Sequence, residues 1–418
     1  MTLILHILIL SAIIWIFYRN ASKSPINKHY FPAIILKLTA GIVLGVIYFN
    51  YYKSGDTLVF HETAMGILKS KSLPDNEYVN FVLRGPDEVL KKLFPILNES
   101  RSAYFMKIIL ILYKFTAGNY WLTSIYLSLL SFAGSWKLTN SIIRYNPAIK
   151  WPALVGLLYL PAFVFWTSGV LKESVAWFCI AIPTSFFLDY VKNRQISIWR
   201  IIASVFIIYV LWMIKYYYAA VLVLFLGPLW LYYFLRIKFE IALSYVVVLL
   251  GSGILIVVIL TFLHPNFNPT RIFSLISENH LIMLERSLAG HAIGFFKLDR
   301  PNLDFLINIP VSLFGGLFMP LIWQGTGIFV KATGMINTLS FFLFIGKLAD
   351  LIKTGKRSFQ PEEISLSLYI IFLAILLAYT SPNFGTLERY KTSYIAFFTM
   401  WVFYKNPLIE GILSYFKH

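Results

Sequence analysis

Four short stretches of this 418-residue chain place ionisable side chains where apolar runs begin or end. The first runs from Tyr51 to Glu62. Gly55 permits a sharp turn there, and Asp56 either caps the helix behind it or stands free as a general base or metal ligand. His61 and Glu62 follow about two turns along the same helix. The second, Phe163 to Ser174, is a tight turn between two apolar runs that carries Lys172 and Glu173. They are either a snorkelling pair or a cation compensated by something anionic: Glu173, Asp56 or a phosphate. The third, Thr380 to Lys391, holds Asn383, Arg389 and Lys391; Arg389 is either an interfacial anchor or a planar fork for phosphate oxygens. The fourth, 264–304, carries Glu285, Arg286, His291, Lys297, Asp299 and Arg300, with nothing to single one out. One carboxylate with the cations Lys172, Arg286, Arg300 and Arg389 suits a phosphate leaving group and a deprotonated sugar hydroxyl. A divalent ion, Mg or Mn, is the cofactor that Asp56 could ligate.

The elements that must position these residues are membrane helices. Of the residues, 58% are hydrophobic and 13% charged, about half the charged share of a soluble domain. The 37 Phe, 26 Tyr and 11 Trp suit side chains at headgroup level. The net charge of +17 is scattered in short clusters between apolar runs, which speaks against a nucleic-acid partner. Cys179, the single cysteine, excludes a disulfide framework. Runs of the length a helix needs to cross a bilayer fall near 3–18, 31–50, 119–137, 151–168, 172–190, 199–214, 217–235, 241–263, 329–350, 364–380 and 390–404. Shorter apolar pieces lie at 104–115, read as interfacial, and 305–323, read as re-entrant. The expectation is therefore an all-α, polytopic transmembrane bundle of about 11–13 spans. It forms a single integral membrane domain over 1–418, with partly helical outer-face loops at 51–118 and 264–324. Basic clusters at Arg19, Lys23 and Lys28, at Lys137, Arg144 and Lys150, at Lys192, Arg194 and Arg200, at Arg236 and Lys238, and at Lys353, Lys356 and Arg357 point to the cytoplasm. The turns carrying Asp56, Lys172 and Arg389 then face outward.

Three segments together, Ser-Gly-Asp-Thr at 54–57, Phe-Trp-Thr-Ser-Gly-Val-Leu-Lys-Glu at 165–173 and Asn-Phe-Gly-Thr-Leu-Glu-Arg-Tyr-Lys at 383–391, carry a resemblance. They resemble membrane proteins of bacterial surface-polysaccharide loci, similar to polyprenyl-dependent GT-C glycosyltransferases and to EpsG-like or Wzy-like polysaccharide polymerases. The likeness covers nearly the whole chain in span order, through short motifs. It implies a bacterial cytoplasmic membrane location, a polyprenyl-linked sugar donor, and a glycan, lipid or protein acceptor. It also implies an acidic residue in the first outer loop as base or metal ligand, the position of Asp56. The acidic dyad frequent in GT-C enzymes is absent, because Thr57 follows Asp56, and cation-dominated polymerase chemistry is the close competitor. A transporter or flippase of lipid-linked sugars would show inverted repeats and Gly- or Pro-broken helices; a non-catalytic subunit would show no motif.

Overall fold

A chain segment in hydrocarbon must satisfy its own backbone polar groups, and an apolar run does so by closing into a helix. The structure, a computed structural model, describes residues 2–69, 77–195, 197–296, 301–355 and 359–415, and within them every regular element is helical. Seven helices are long and apolar enough to cross a membrane: Leu3–Ala21, Asn27–Tyr52, Lys172–Asn193, Ile198–Lys238, Tyr245–Leu263, Ile328–Thr354 and Pro361–Thr380. The protein is an all-α, multi-pass helical membrane protein.

Several expected spans take other forms, each for a local reason. The run 198–238 is broken at Lys215, whose φ of −148° and ψ of 75° leave the helical region; this is the break between the spans read as 199–214 and 217–235. The run 151–168 becomes the short helices Lys150–Leu154 and Pro161–Trp166 with a widened π turn, Val155–Tyr159, between them. Pro161 has no N–H to continue a helix and opens the second one instead. The run 390–404 is divided between Phe384–Tyr390, a 3-10 turn and Ile395–Phe403. In 305–323 the longest helix is Ile309–Phe318, ten residues, or about 15 Å against the roughly 30 Å hydrocarbon core.

The chain folds as two compact units. The first comprises Met1–Arg144, Leu158–Leu188 and Ile196–Tyr216. Its core partner is the helix Tyr120–Tyr145, on which Ser124, Ser128, Ser131 and Ser135 recur at helical spacing and are all buried. Small residues on that stripe let other backbones come close, as membrane packing requires. A Cβ at Gly41 would meet the Ser128 hydroxyl at 2.3 Å. The second unit comprises Tyr145–Leu157, Asp189–Gln195 and Tyr217–His418. There Ile309–Phe318 packs on Pro361–Thr380; a Cβ at Gly316 would stand 2.3 Å from the Ala374 carbonyl oxygen.

Candidate functional site

In the first unit, the turn read from sequence at 163–174 is built by hydrogen bonds from two neighbouring helices. Gly169 has φ of +73°, a conformation glycine adopts without cost. Its N–H donates to the Ser128 hydroxyl at 2.9 Å, and the Ser174 hydroxyl donates back to its carbonyl at 2.8 Å. Trp177 donates from its indole to Ser135 at 2.8 Å. With its two flanks fixed in this way, the turn launches the helix Lys172–Asn193 with Lys172 and Glu173 as its first two residues.

The two side chains diverge. Glu173 is buried, and accepts from the Lys215 ammonium at 2.8 Å. That pair places a cation at the helix break and neutralises it in place, as the cost of a lone charge in hydrocarbon demands. Lys172 is half-buried and donates to the buried Ser102 hydroxyl at 2.8 Å, which donates on to Glu99 at 2.9 Å. Its ammonium also lies 5.4 Å from the centre of the Phe60 ring. Glu99, Arg101, Asp56 and Lys215 are the charges that act on it.

Asp56 opens the helix Asp56–Lys69. The amides of Leu58 and Val59 both donate to the Gly55 carbonyl, at 3.0 and 3.1 Å, so Gly55 takes the capping place and Asp56 lies inside the first turn. Gly55 has φ of +117°, and a Cβ there would strike the Tyr48 ring at 2.5 Å. Leu58, Leu171, Leu44 and Tyr48 pack as one apolar cluster flanked by Phe165 and Trp166. That cluster ties the start of the Asp56 helix to the start of the Lys172 helix. Ser102 lies in the first turn of a third helix, Ser100–Phe115. Three helix starts thus surround Lys172, each with N–H groups lacking intrahelical partners.

His61 and Glu62 are not turned toward Asp56. At 100° per residue, His61 lies about 140° around the helix from it. His61 bonds the Tyr113 hydroxyl at 2.8 Å and packs edge-on against Phe49 and Tyr120, while Glu62 is exposed. Burial lowers the His61 pKa below the usual histidine value, with Glu62 opposing the shift and Lys69 adding to it.

In the second unit, Lys391, Asn383 and His291 take internal duties. Lys391 is completely buried; it donates to Glu388 at 2.8 Å and to the Met319 carbonyl. Asn337 donates to the same Glu388 oxygen at 2.7 Å and to the Pro320 carbonyl at 3.2 Å. Asn383 caps the helix Phe384–Tyr390, accepting from the Thr386 amide, and donates to Ser287 at 3.0 Å. His291 links to Thr326 through Nε2, and its carbonyl accepts from the Phe384 amide at 2.9 Å. Arg286 is exposed at the end of the helix Ile272–Glu285. Arg389, half-buried, lies 5.3 Å from the centre of the Tyr390 ring. Arg300, Lys297 and Asp299 lie outside the described residues.

Among the described residues, no group of three His, Cys, Asp or Glu side chains is placed to hold a metal ion. No protein-family model, curated protein or solved structure matches the chain.

Sequence reading passed over Glu99, Arg101, Ser102, Lys215, Glu388 and Asn337. For the first three a local signal existed: Glu-Ser-Arg-Ser ahead of an apolar run is the composition of a helix start.

Proposed function

We propose that the protein is a membrane-embedded glycosyltransferase that moves a sugar from a polyprenyl-phosphate-linked donor to a glycan, lipid or protein acceptor. The observation that carries this reading is the meeting of three helix starts around Lys172, with Asp56 in one of them and Arg101 in another. Orphan N–H groups and the positive ends of helix dipoles favour an anion there, and Lys172 and Arg101 add charge. A lipid-linked phosphate suits such a place, because its chain stays among apolar helices while its head meets cations. In the proposed step the acceptor hydroxyl oxygen attacks the anomeric carbon. The bond from that carbon to the phosphate oxygen breaks, and the phosphate departs with the electron pair. Its new negative charge is met by Lys172, Arg101 and the helix starts. Asp56 takes the hydroxyl proton.

The test uses purified protein in lipid nanodiscs, supplied separately with polyprenyl monophosphate-linked and pyrophosphate-linked sugars. Asp56→Asn is expected to bind donor like the wild type and to lose transfer by about 10²-fold or more. Lys172→Met is expected to lose donor affinity by about tenfold or more. Full transfer by the Asn variant removes Asp56 as the base, and unchanged donor binding by the Met variant removes the phosphate site. The balance of cations near Lys172 also supports a polymerase acting on pyrophosphate-linked repeat units. Turnover of the pyrophosphate donor alone would select that reading.

The proposed location is the bacterial cytoplasmic membrane, with Asp56 at the outer face, supported by the basic residues Arg19, Lys23 and Lys28 on the opposite end of the second span. Ser54 and Ser22 are both exposed, and Cys179 is buried. In a Cys179→Ser background, Ser54→Cys is expected to react with a membrane-impermeant thiol reagent in intact cells and Ser22→Cys to react only after lysis. Labelling at Ser22 from outside would invert the topology.

A further inference from the structure

Lys37 lies within the helix Tyr30–Ile47, in the middle of a span, and is 3% exposed. Its ammonium donates to the Thr167 hydroxyl, reaches the Val164 carbonyl at 3.5 Å and lies 5.4 Å from the centre of the Phe163 ring. Every one of these contacts is with the turn that launches Lys172. No carboxylate pairs with it among the described residues. A cation placed this way in hydrocarbon is costly, and packing alone gives no reason to keep it.

The surroundings say what it holds. The Val164 carbonyl, in the last turn of the helix Pro161–Trp166, accepts from the Ser168 hydroxyl at 2.6 Å, so the closer hold of Lys37 on the turn is through Thr167. Thr167 in turn donates to the Phe163 carbonyl at 2.6 Å. One turn further along the Lys37 helix, Gly41 presents its carbonyl to Ser124 at 3.0 Å, and a Cβ on it would come within 3.2 Å of the Gly169 N–H nitrogen. One face of a single helix therefore grips the turn at both ends, through an ammonium at 164–167 and through bare backbone at Gly169. The first grip is specific to a long donor.

We propose that Lys37 is a positioning residue. It fixes the 163–171 turn and through it the place of the Lys172 ammonium beside Ser102 and Glu99, at a cost in stability to the bundle. That Lys172 then serves a phosphate rests on the glycosyl-transfer reading; that Lys37 sets its place does not.

The two parts are separable by experiment. Lys172 and Glu99 are two hydrogen bonds apart through Ser102, so a carbodiimide joins them without a spacer, and peptide mass spectrometry measures the yield. In full-length protein in nanodiscs, Lys37→Met and Thr167→Val are each expected to lower this yield at least threefold. The double variant is expected to fall no further, since both remove one interaction. The thermal midpoint of Lys37→Met is expected to equal or exceed that of the wild type, because a nearly isosteric apolar side chain replaces a buried cation. Donor affinity on the same samples is expected to fall about tenfold. An unchanged cross-link yield overturns the proposal, and so does a midpoint that drops in step with the yield, which marks ordinary packing. A lowered yield with no donor binding in the wild type upholds Lys37 as the positioning residue and removes only the phosphate reading.

Discussion

The two units each bury a lysine–glutamate pair, and the surroundings of the two pairs differ. In the second unit Glu388 is shared between Lys391 and Asn337, Lys391 also holds the Met319 carbonyl, and the Glu388, Lys391 and Asn337 side chains are all buried. In the first unit the Glu173–Lys215 pair is equally dry, yet the residue beside it, Lys172, stands half-exposed in a chain that runs through Ser102 to the exposed Glu99. A saturated network fixes backbone segments to one another; a cation whose donors reach a boundary still has capacity for a ligand. Neighbours of the expected phosphate ligands, such as Lys391 and Asn383, therefore have internal structural partners, whereas Lys172 remains a candidate ligand.

The largest effect expected from this contrast is on stability. Lys391→Met strands the Glu388 carboxylate among buried groups, and removing one partner of a buried pair costs about 3–5 kcal/mol. Lys391→Met with Glu388→Leu is expected to recover most of that loss, since apolar replacement of both partners removes the stranded charge. Lys172→Met is expected to change stability by less than about 1 kcal/mol, the range of a half-exposed pair. Thermal unfolding of the purified variants in one detergent measures all three. A Lys172→Met loss as large as that of Lys391→Met would erase the distinction between the two regions.

Local patterns were legible where local chemistry decides the structure. The turn at 169–173 and the break near 215 follow from a glycine between apolar runs and from a lysine interrupting them, and the structure has both. The helix start at Asp56 was equally readable, although Gly55 supplies the capping carbonyl. Glu388 and Lys391 are three residues apart on a short helical stretch, a spacing that brings side chains together, so that pairing was readable as well. The partners of Lys172 and Lys37 were not. Ser102 is 70 residues from Lys172, and Thr167 is 130 from Lys37; which turn meets which helix is decided by packing of the Gly41–Ser128 kind, invisible to spacing along the chain. Reading 151–168 as one span ignored Pro161, and grouping His61 and Glu62 with Asp56 ignored the 100° step of the helix.

The smallest expected effect compares one histidine from each unit outside the spans. His61 is half-buried and bonded to Tyr113. His280 is 1% exposed, bonds the Tyr379 carbonyl through Nδ1 at 2.6 Å, and has a buried Nε2 with no hydrogen-bond partner among the described residues. Burial lowers the pKa of both; the Tyr379 carbonyl partly opposes the shift at His280, as Glu62 does at His61. In each case the folded protein resists a proton that the unfolded chain accepts near pH 6.5. The stability tied to the neutral rings is thus complete above that pH. It declines as pH falls toward the folded-state pKa values, by at most about 1.4 kcal/mol per pH unit for each histidine. His280→Gln is expected to flatten more of the acid-side slope than His61→Gln, because a proton on His280 would enter a site with no acceptor at Nε2, while His61 can rely on Glu62. Thermal midpoints of the wild type and both variants between pH 5 and pH 7.5 measure the slopes. Equal flattening would place the two histidines in equivalent surroundings, and a steeper slope for His280→Gln than for the wild type would mean that the buried ring takes its proton in the folded state.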